Sequence, residues 1–229
     1  MNRNSDITLV ARLLAEPSRA AMMTALLDGR AMPAGDLARI AQVSPQTASG
    51  HLRKLLAGGL VHILNQGRHR YYSIATPEIA HAIETLSGIA TQPPVTSLRQ
   101  SLAMEKLAAA RTCYDHLAGR LAVRLADRLV ERGHCDRTED GFAITPAGAS
   151  FFATLEIDSA ALCKTTPPYS KTCVDWTERR PHLAGPIGRA LLAHMFAREW
   201  IARTDVPRAL RITDAGHESL ARHFGIVTS

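Results

Sequence analysis

The chain has 229 residues, of which 46% are hydrophobic and 21% charged, with a formal net charge of +6. It is long enough for two domains with cores of their own and too apolar to stay disordered. No run of about 18 apolar residues is present and the N-terminus, MNRNSDITLVARLLAEPSR, lacks the apolar core of a secretory signal, so a cytoplasmic protein with no membrane partner is expected.

In chain order, DITLVARLLA reads as a short amphipathic helix ended by Pro17, and PSRAAMMTALLDG as a second helix closed by Gly29. Pro33 opens a third. The turn QVS leads to a fourth helix with Ser44 as N-cap and Pro45 at the first helical position, where the missing N–H costs nothing. On this fourth helix Ala48, Leu52, Leu55 and Leu56 recur at core spacing. The opposite face carries Gln46, Thr47, Ser49, Gly50, Arg53 and Lys54. Small polar groups followed by cations suit a helix lying in a DNA major groove, where the first reach base edges and the second meet phosphates.

After Gly58-Gly59 the period changes from 3.6 to 2. LVHILNQ and HRYYSIA read as two strands around Gly67, with Arg68, His69 and Arg70 at the tip. Between Asp36 and Glu78 no acidic residue occurs, whereas Arg39, Arg53, Lys54, Arg68 and Arg70 do, as on a phosphate-facing surface. A helix-turn-helix followed by a basic hairpin is a winged helix, so the expected fold class is mainly α with small β-hairpin wings (α+β).

The run DLARIAQVSPQTASGHLRKLLAGGLVHILNQGRHRYYSI resembles the ArsR/SmtB winged-helix repressors. The matching residues are Asp36, Leu37, Ala38, Ser44, Thr47, Ser49, His51, Leu52, Leu55, Gly59, Leu60, Val61, Gly67, Arg68 and Tyr72. The resemblance implies double-stranded operator DNA as partner, contacted by Gln46, Thr47, Ser49, His51, Arg53, Lys54, Arg68, His69 and Arg70. It also implies a homodimer formed through the first and last helices of the domain. The stripe Ile79, Ile83, Leu86 on the last helix, with Ile89 and Ala90 close by, fits either that seam or an intramolecular core. Two departures are Gly50, where relatives often carry a cation or Gln, and the segment MPAGDLARI, which lacks the family's metal-sensing thiols. His81 and Glu84 also fall short of the family's other zinc-site spacing.

The expected domains are 1–90 for DNA binding and dimerisation, 91–97 as a Pro-containing linker, and 98–229 as an effector domain. The last opens with LRQSLAMEKLAAARTCYDHLAGRLAVRLADRLVERG, read as one long helix bent near Gly119. The tetrapeptide His-Leu-Ala-Gly occurs at 116–119 and again at 182–185. From His116 to Ile144 is 28 residues, from His182 to Ile212 is 30, and Thr-x-Ala-Gly follows each. The second part therefore reads as two degenerate winged-helix-like halves, about 98–160 and 174–229, with the tetrapeptide as a helix segment of each. The whole chain resembles a long form of the ArsR-like regulators with the pattern R-x-C-Y-D-H-L-A-G and C-x-D-W-x-E-R-R-x-H-L-A-G.

The cysteines, Cys113, Cys135, Cys163 and Cys173, form no C-x-x-C pair. If the halves pack pseudo-symmetrically, Cys113, Tyr114, His116, Cys173, Trp176 and His182 converge on one sensor pocket for a metal ion, an oxidant or a small molecule. A metal or metalloid ion would sit at Cys113, His116 and Cys173. Equally, the histidines fit as turn-bonding groups, Trp176 as core and the thiols as small buried hydrophobes; Cys135 and Cys163 read as loop residues. Together these features point to a dimeric repressor released from its operator by an effector, and to no enzyme, since no nucleotide fingerprint, nucleophile elbow or clear carboxylate pair is present. A thiol-based redox enzyme and an effector-free architectural DNA-binding protein are the alternatives.

Overall fold

The computed structural model describes residues 7–67, 69–91, 96–163 and 169–228. The chain divides into two compact units, 1–84 and 85–229. Among the described residues, no helix is long and apolar enough to cross a membrane.

The first unit runs α1 (Ile7–Leu14), α2 (Pro17–Leu26), β1 (Met32–Pro33), α3 (Ala34–Ile40), α4 (Pro45–Ala57), β2 (Val61–Gln66), β3 (His69–Ile74) and α5 (Pro77–Ile89), the last crossing the boundary. β2 and β3 form an antiparallel hairpin around Gly67, with Val61 opposite Ile74 and Gln66 opposite His69. A short edge strand not expected from the sequence, β1, pairs Met32 with Tyr72, and Pro33 opens α3 as its N-cap residue. The hydroxyl of Ser44 accepts from the Thr47 N–H at 3.2 Å, the cap expected for α4. Met22, Leu26, Leu37, Ala48, Leu52, Leu55, Leu60 and Ile74 are all buried. Leu56, expected in the core, is 38% exposed.

The second unit contains α6 (Leu98–Ala109), β4 (Arg111–Cys113), β5 (His116–Ala118), α7 (Arg120–Glu131), β6 (Cys135–Arg137), β7 (Gly141–Ile144), α8 (Pro146–Thr154) and α9 (Ser159–Leu162). It continues with β8 (Tyr169–Val174), β9 (Pro181–Leu183), α10 (Gly185–Ala197), β10 (Ile201–Arg203), β11 (Leu210–Ile212), α11 (Asp214–Ser219) and a π-helical turn, Leu220–Phe224. The expected long helix is two helices, α6 and α7, with the β4–β5 hairpin between them. Tyr114 at φ 58° makes the hairpin turn and Gly119 at φ 87° starts α7, so neither residue fits a continuous helix.

His-Leu-Ala-Gly is therefore a strand running into a helix in both copies. Gly185, at φ 69°, occupies in the second copy the place of Gly119 in the first. After α7 and after α10 comes a hairpin, and after each hairpin a threonine caps a helix. Thr145 accepts from Gly148 N–H at 2.9 Å, and Thr213 from Gly216 N–H at 3.0 Å. The first strand of the second half, β8, starts at Tyr169.

The two halves exchange partners. The hairpin β8–β9 of the second half pairs through β8 with β7 of the first, giving the order β6-β7-β8-β9. Reciprocally, Arg111 of β4 bridges Ala209 beside β11, and Leu210 N–H donates to Ala110 O at 2.9 Å. One core, including Leu117, Leu125, Phe142, Phe152, Ile187, Met195, Leu210 and Phe224, serves both halves.

Candidate nucleic-acid interface and metal centre

In the first unit α4 presents the side chains of Gln46, Thr47, Ser49, Arg53 and Lys54 to solvent. Ala48, Leu52 and Leu55 fasten its other face to the core. The hydroxyl of Thr47 lies 2.9 Å from that of Ser44, and Ser49 donates to Pro45 O at 2.9 Å, so both are held on the first two turns. His69 and Arg70 are exposed on the hairpin; Arg68 lies outside the described residues. His51 does not share that face. Its Nδ1 is 3.3 Å from Glu16 and 3.4 Å from Arg19, turned inward to α2. Glu16 also accepts from the N–H groups of Ser18 and Arg19, while the Arg19 guanidinium reaches the carbonyls of Leu13 and Arg12. His51 thus belongs to a joint between α1, α2 and α4 and not to the exposed face of α4.

In the second unit Cys113, His116, Cys173 and His182 come together. Their ligand atoms all lie within 4.8 Å of one another, and all four side chains are buried. Strand pairing accounts for this. Cys113 is directly opposite His116 across β4–β5, and Cys173 directly opposite His182 across β8–β9. Opposed residues of an antiparallel pair project from the same face. On the expected long helix Cys113 and His116 would stand at i, i+3; the hairpin sets them across from each other instead. Alternation along the strand then assigns the repeated tetrapeptide: His faces the site, Leu117 or Leu183 faces the core, and Ala118 or Ala184 packs beside the thiols.

The thiols of Cys113 and Cys173 are 3.9 Å apart, and neither is in a disulfide. The His116 Nδ1 lies 3.0 Å from Asp115 Oδ1, and Arg189 holds the other Asp115 oxygen from 2.7 and 2.9 Å. That leaves Nε2 of His116 buried without a hydrogen bond, as are both ring nitrogens of His182. Burial alone would lower His116, but the Asp115 carboxylate and the Cys173 sulfur overcome it and raise the imidazole to about 9. Burial, reinforced by the neighbouring His116, lowers His182. Contact with Cys113 and both imidazoles holds the Cys173 thiol far below the ordinary thiol range against the opposing effect of burial.

A buried ion pair joins the two hairpins. Arg111 donates to Asp175 at 2.8 Å, and Asp175 also accepts from Gly119 N–H at 2.6 Å and from the N–H groups of Thr177 and Glu178. Burial raises the Asp175 carboxyl, but Arg111 and these donors prevail and hold it down at about 2. Trp176, also expected at the site, lies with its ring under the Arg111 guanidinium at 4.4 Å. Tyr114, half-buried, forms the β4–β5 turn. Cys135 starts β6 and is not in a loop, whereas Cys163 follows α9 outside any helix or strand, as expected; both lie in the main core. Arg111, Asp175 and Arg189 emerge only from the structure, although the first two stand inside the quoted patterns R-x-C-Y-D-H and C-x-D.

A helix-turn-helix domain family matches residues 14–63. The uncharacterized HTH-type transcriptional regulator YdfF of Bacillus subtilis (strain 168) is 42% identical over 223 residues, covering 97% of this chain and 99% of that protein. The HTH-type transcriptional regulator CmtR of Mycobacterium bovis is 36% identical over 84 residues, 37% of this chain and 70% of its own length. The solved structure of HlyU from Vibrio cholerae is 26% identical, spans 40% of this chain and all of that one, and superposes with a TM-score of 0.37.

Proposed function

The chain belongs to the HTH-type transcriptional regulators of the ArsR/SmtB type, and from that premise we propose a dimeric, cytoplasmic repressor that leaves its operator when a metal ion enters the second unit. The observation that carries the effector reading is the convergence of Cys113, His116 and Cys173, with His182, in one buried cluster. In the first unit, Gln46, Thr47 and Ser49 contact base edges, and Arg53, Lys54, Arg68, His69 and Arg70 contact phosphates. Two such units bound to a two-fold symmetric operator place their recognition helices about one helical turn apart. The exposed apolar side chains Ile7, Leu9 and Val10 of α1 and Leu86 and Ile89 of α5 supply surface for the dimer.

A mobility-shift assay on the full chain with its upstream DNA tests this reading, with zinc(II), cadmium(II) or a chelator added. Metal is expected to weaken operator binding of the wild type and to leave Cys113→Ser and Cys173→Ser unaffected. Equal operator affinity with and without metal in the wild type overturns the effector reading.

A further inference from the structure

The cluster has more structure than an effector site requires: its four ligands are drawn evenly from the two halves, each of which supplies one cysteine and one histidine as a cross-strand pair. We infer that Cys113, His116, Cys173 and His182 form a closed, four-coordinate centre for a divalent ion of the zinc(II) class, one that staples the two halves together. The inference rests on the preceding reading only for the presence of a metal, and adds the fourth ligand, the geometry and the class of ion.

Geometry supports four-coordination. A tetrahedral ion with bonds of about 2.3 Å to sulfur and about 2.0–2.1 Å to nitrogen sets donor-to-donor edges of about 3.3–3.8 Å. The two sulfurs already stand at 3.9 Å, and no pair of ligand atoms exceeds 4.8 Å. Shortening the longest of these separations by about 1.5 Å or less therefore completes the shell. His182 is the telling member. It is 0% exposed, and neither ring nitrogen makes a hydrogen bond of ordinary geometry, although the Cys173 sulfur stands close enough to act on the ring, an arrangement that is costly for a ring serving only as packing.

Charge selects the ion. Two thiolates and two neutral imidazoles around a divalent cation sum to zero, the least costly total in a buried site. The nearby carboxylates are already matched, Asp115 by Arg189 and Asp175 by Arg111. Two sulfurs and two nitrogens are too soft for magnesium or calcium, which take oxygen ligands. A monovalent copper ion would leave the buried shell with a negative charge. With all four positions filled by protein, the centre has no place for a reacting water, which marks it as structural or sensory and not catalytic.

The support of the two imidazoles differs. Asp115, braced by Arg189, accepts a hydrogen bond from His116 Nδ1–H and so leaves Nε2 for the ion. Asp115 is accordingly a positioning residue for this centre.

The decisive measurement is X-ray absorption at the zinc edge on the full-length wild-type chain loaded with one equivalent of zinc(II). Two sulfur and two nitrogen neighbours are expected, and a shell dominated by oxygen, or with one sulfur or none, overturns the centre without recourse to any variant. Cobalt(II) titration of the metal-free chain should give one ion per chain, the intense visible bands of tetrahedral cobalt and a sulfur-to-cobalt charge-transfer band, all lost when zinc(II) is added. His182→Asn should abolish the tetrahedral bands. Asp115→Asn should keep them while weakening cobalt affinity by about 10–100-fold. A wild-type spectrum and affinity in His182→Asn, with circular dichroism showing the variant folded, also overturns the proposal. If the four-coordinate shell forms yet operator binding ignores metal, the centre stands and the effector reading falls.

Discussion

Arg111 and Asp175, 64 residues apart in sequence, form a 2.8 Å ion pair with both side chains all but sealed from solvent. Arg111 lies two residues before Cys113 and Asp175 two residues after Cys173, so the pair fixes the separation of the hairpins that carry the four-residue cluster. Removing one partner of a buried pair strands the other charge. Asp175→Asn keeps the shape but leaves Arg111 uncompensated, and should cost the second unit about 3–5 kcal/mol. Both tryptophans, Trp176 and Trp200, lie in that unit, so urea denaturation followed by tryptophan fluorescence reports on it selectively. A loss under about 1 kcal/mol would show that the pair contributes little to holding the hairpins.

Glu16 caps α2 and meets His51 of α4. Glu16→Gln keeps one acceptor but loses the charge, and Glu16→Ala should cost about 1 kcal/mol as a lost cap. Burial works to raise the Glu16 carboxyl, but the N–H groups of Arg19 and Ser18 and the His51 ring bring it below its usual 4.5. A carboxyl lowered on folding stabilises above its unfolded value and loses that contribution as the pH falls through its folded value. The wild-type advantage over Glu16→Gln should therefore be full above about pH 4.5 and fade below it. Hydrogen exchange of α2 amides across this range measures it; an advantage independent of pH would remove the carboxylate from the account.

Arg53→Ala and Arg70→Ala should each weaken binding to every DNA sequence and reduce the salt slope by about 1, as expected of phosphate contacts. Gln46→Ala should instead change which operator is preferred. Fluorescence anisotropy against salt, on operator and scrambled duplexes, separates the two outcomes. An unchanged slope for Arg70→Ala would take the hairpin off the DNA backbone.

The duplicated Thr-x-Ala-Gly corners make a paired prediction. A Cβ on Gly148 would lie 1.8 Å from His134 O, and one on Gly216 would lie 1.9 Å from Trp200 O. Both neighbours are backbone, so Gly148→Ala and Gly216→Ala should each cost on the order of 1–3 kcal/mol or more. Gly50, with nothing within 4 Å, is the control: Gly50→Ala should stabilise α4 by about 0.5–1 kcal/mol. Thermal unfolding of the three variants checks the set, and a tolerated alanine at either corner would break the equivalence of the halves.

Burial pushes the Cys135 thiol up to about 12, with Asp136 adding to the effect. In the native chain it should resist iodoacetamide at pH 8 and react only on unfolding. Mass mapping of alkylated peptides decides this, and rapid native labelling of Cys135 would contradict its place in the core.

The first unit was legible because its signals are local. Ser44 before Pro45, apolar positions at helical spacing in α4, and the change to period 2 before Gly67 each depend on neighbours within a few residues. The unit lost only what depends on distance, namely the β1 edge strand, the inward turn of His51 and the exposure of Leu56. In the second unit the repeat, its order and its Thr-x-Ala-Gly corners were readable, and the cysteines and histidines of the cluster were named. Their secondary structure was misread, since ARTCYDHLAG is rich enough in helix formers to pass as helix when the turn at Tyr114 is not seen.

The sequence by itself determined which residue types were available and their order, because periodicity, caps and glycines act over one or two turns. Only the tertiary structure decided that Cys113 faces His116 across one hairpin, that Cys173 faces His182 across another, and that the four meet. That meeting depends on strand pairing between halves and on a buried Arg111–Asp175 contact, both long-range interactions that leave no period in the chain. The repeated His-Leu-Ala-Gly is structural and chemical at once, its leucine set in the core and its histidine in the cluster, because a strand has two faces.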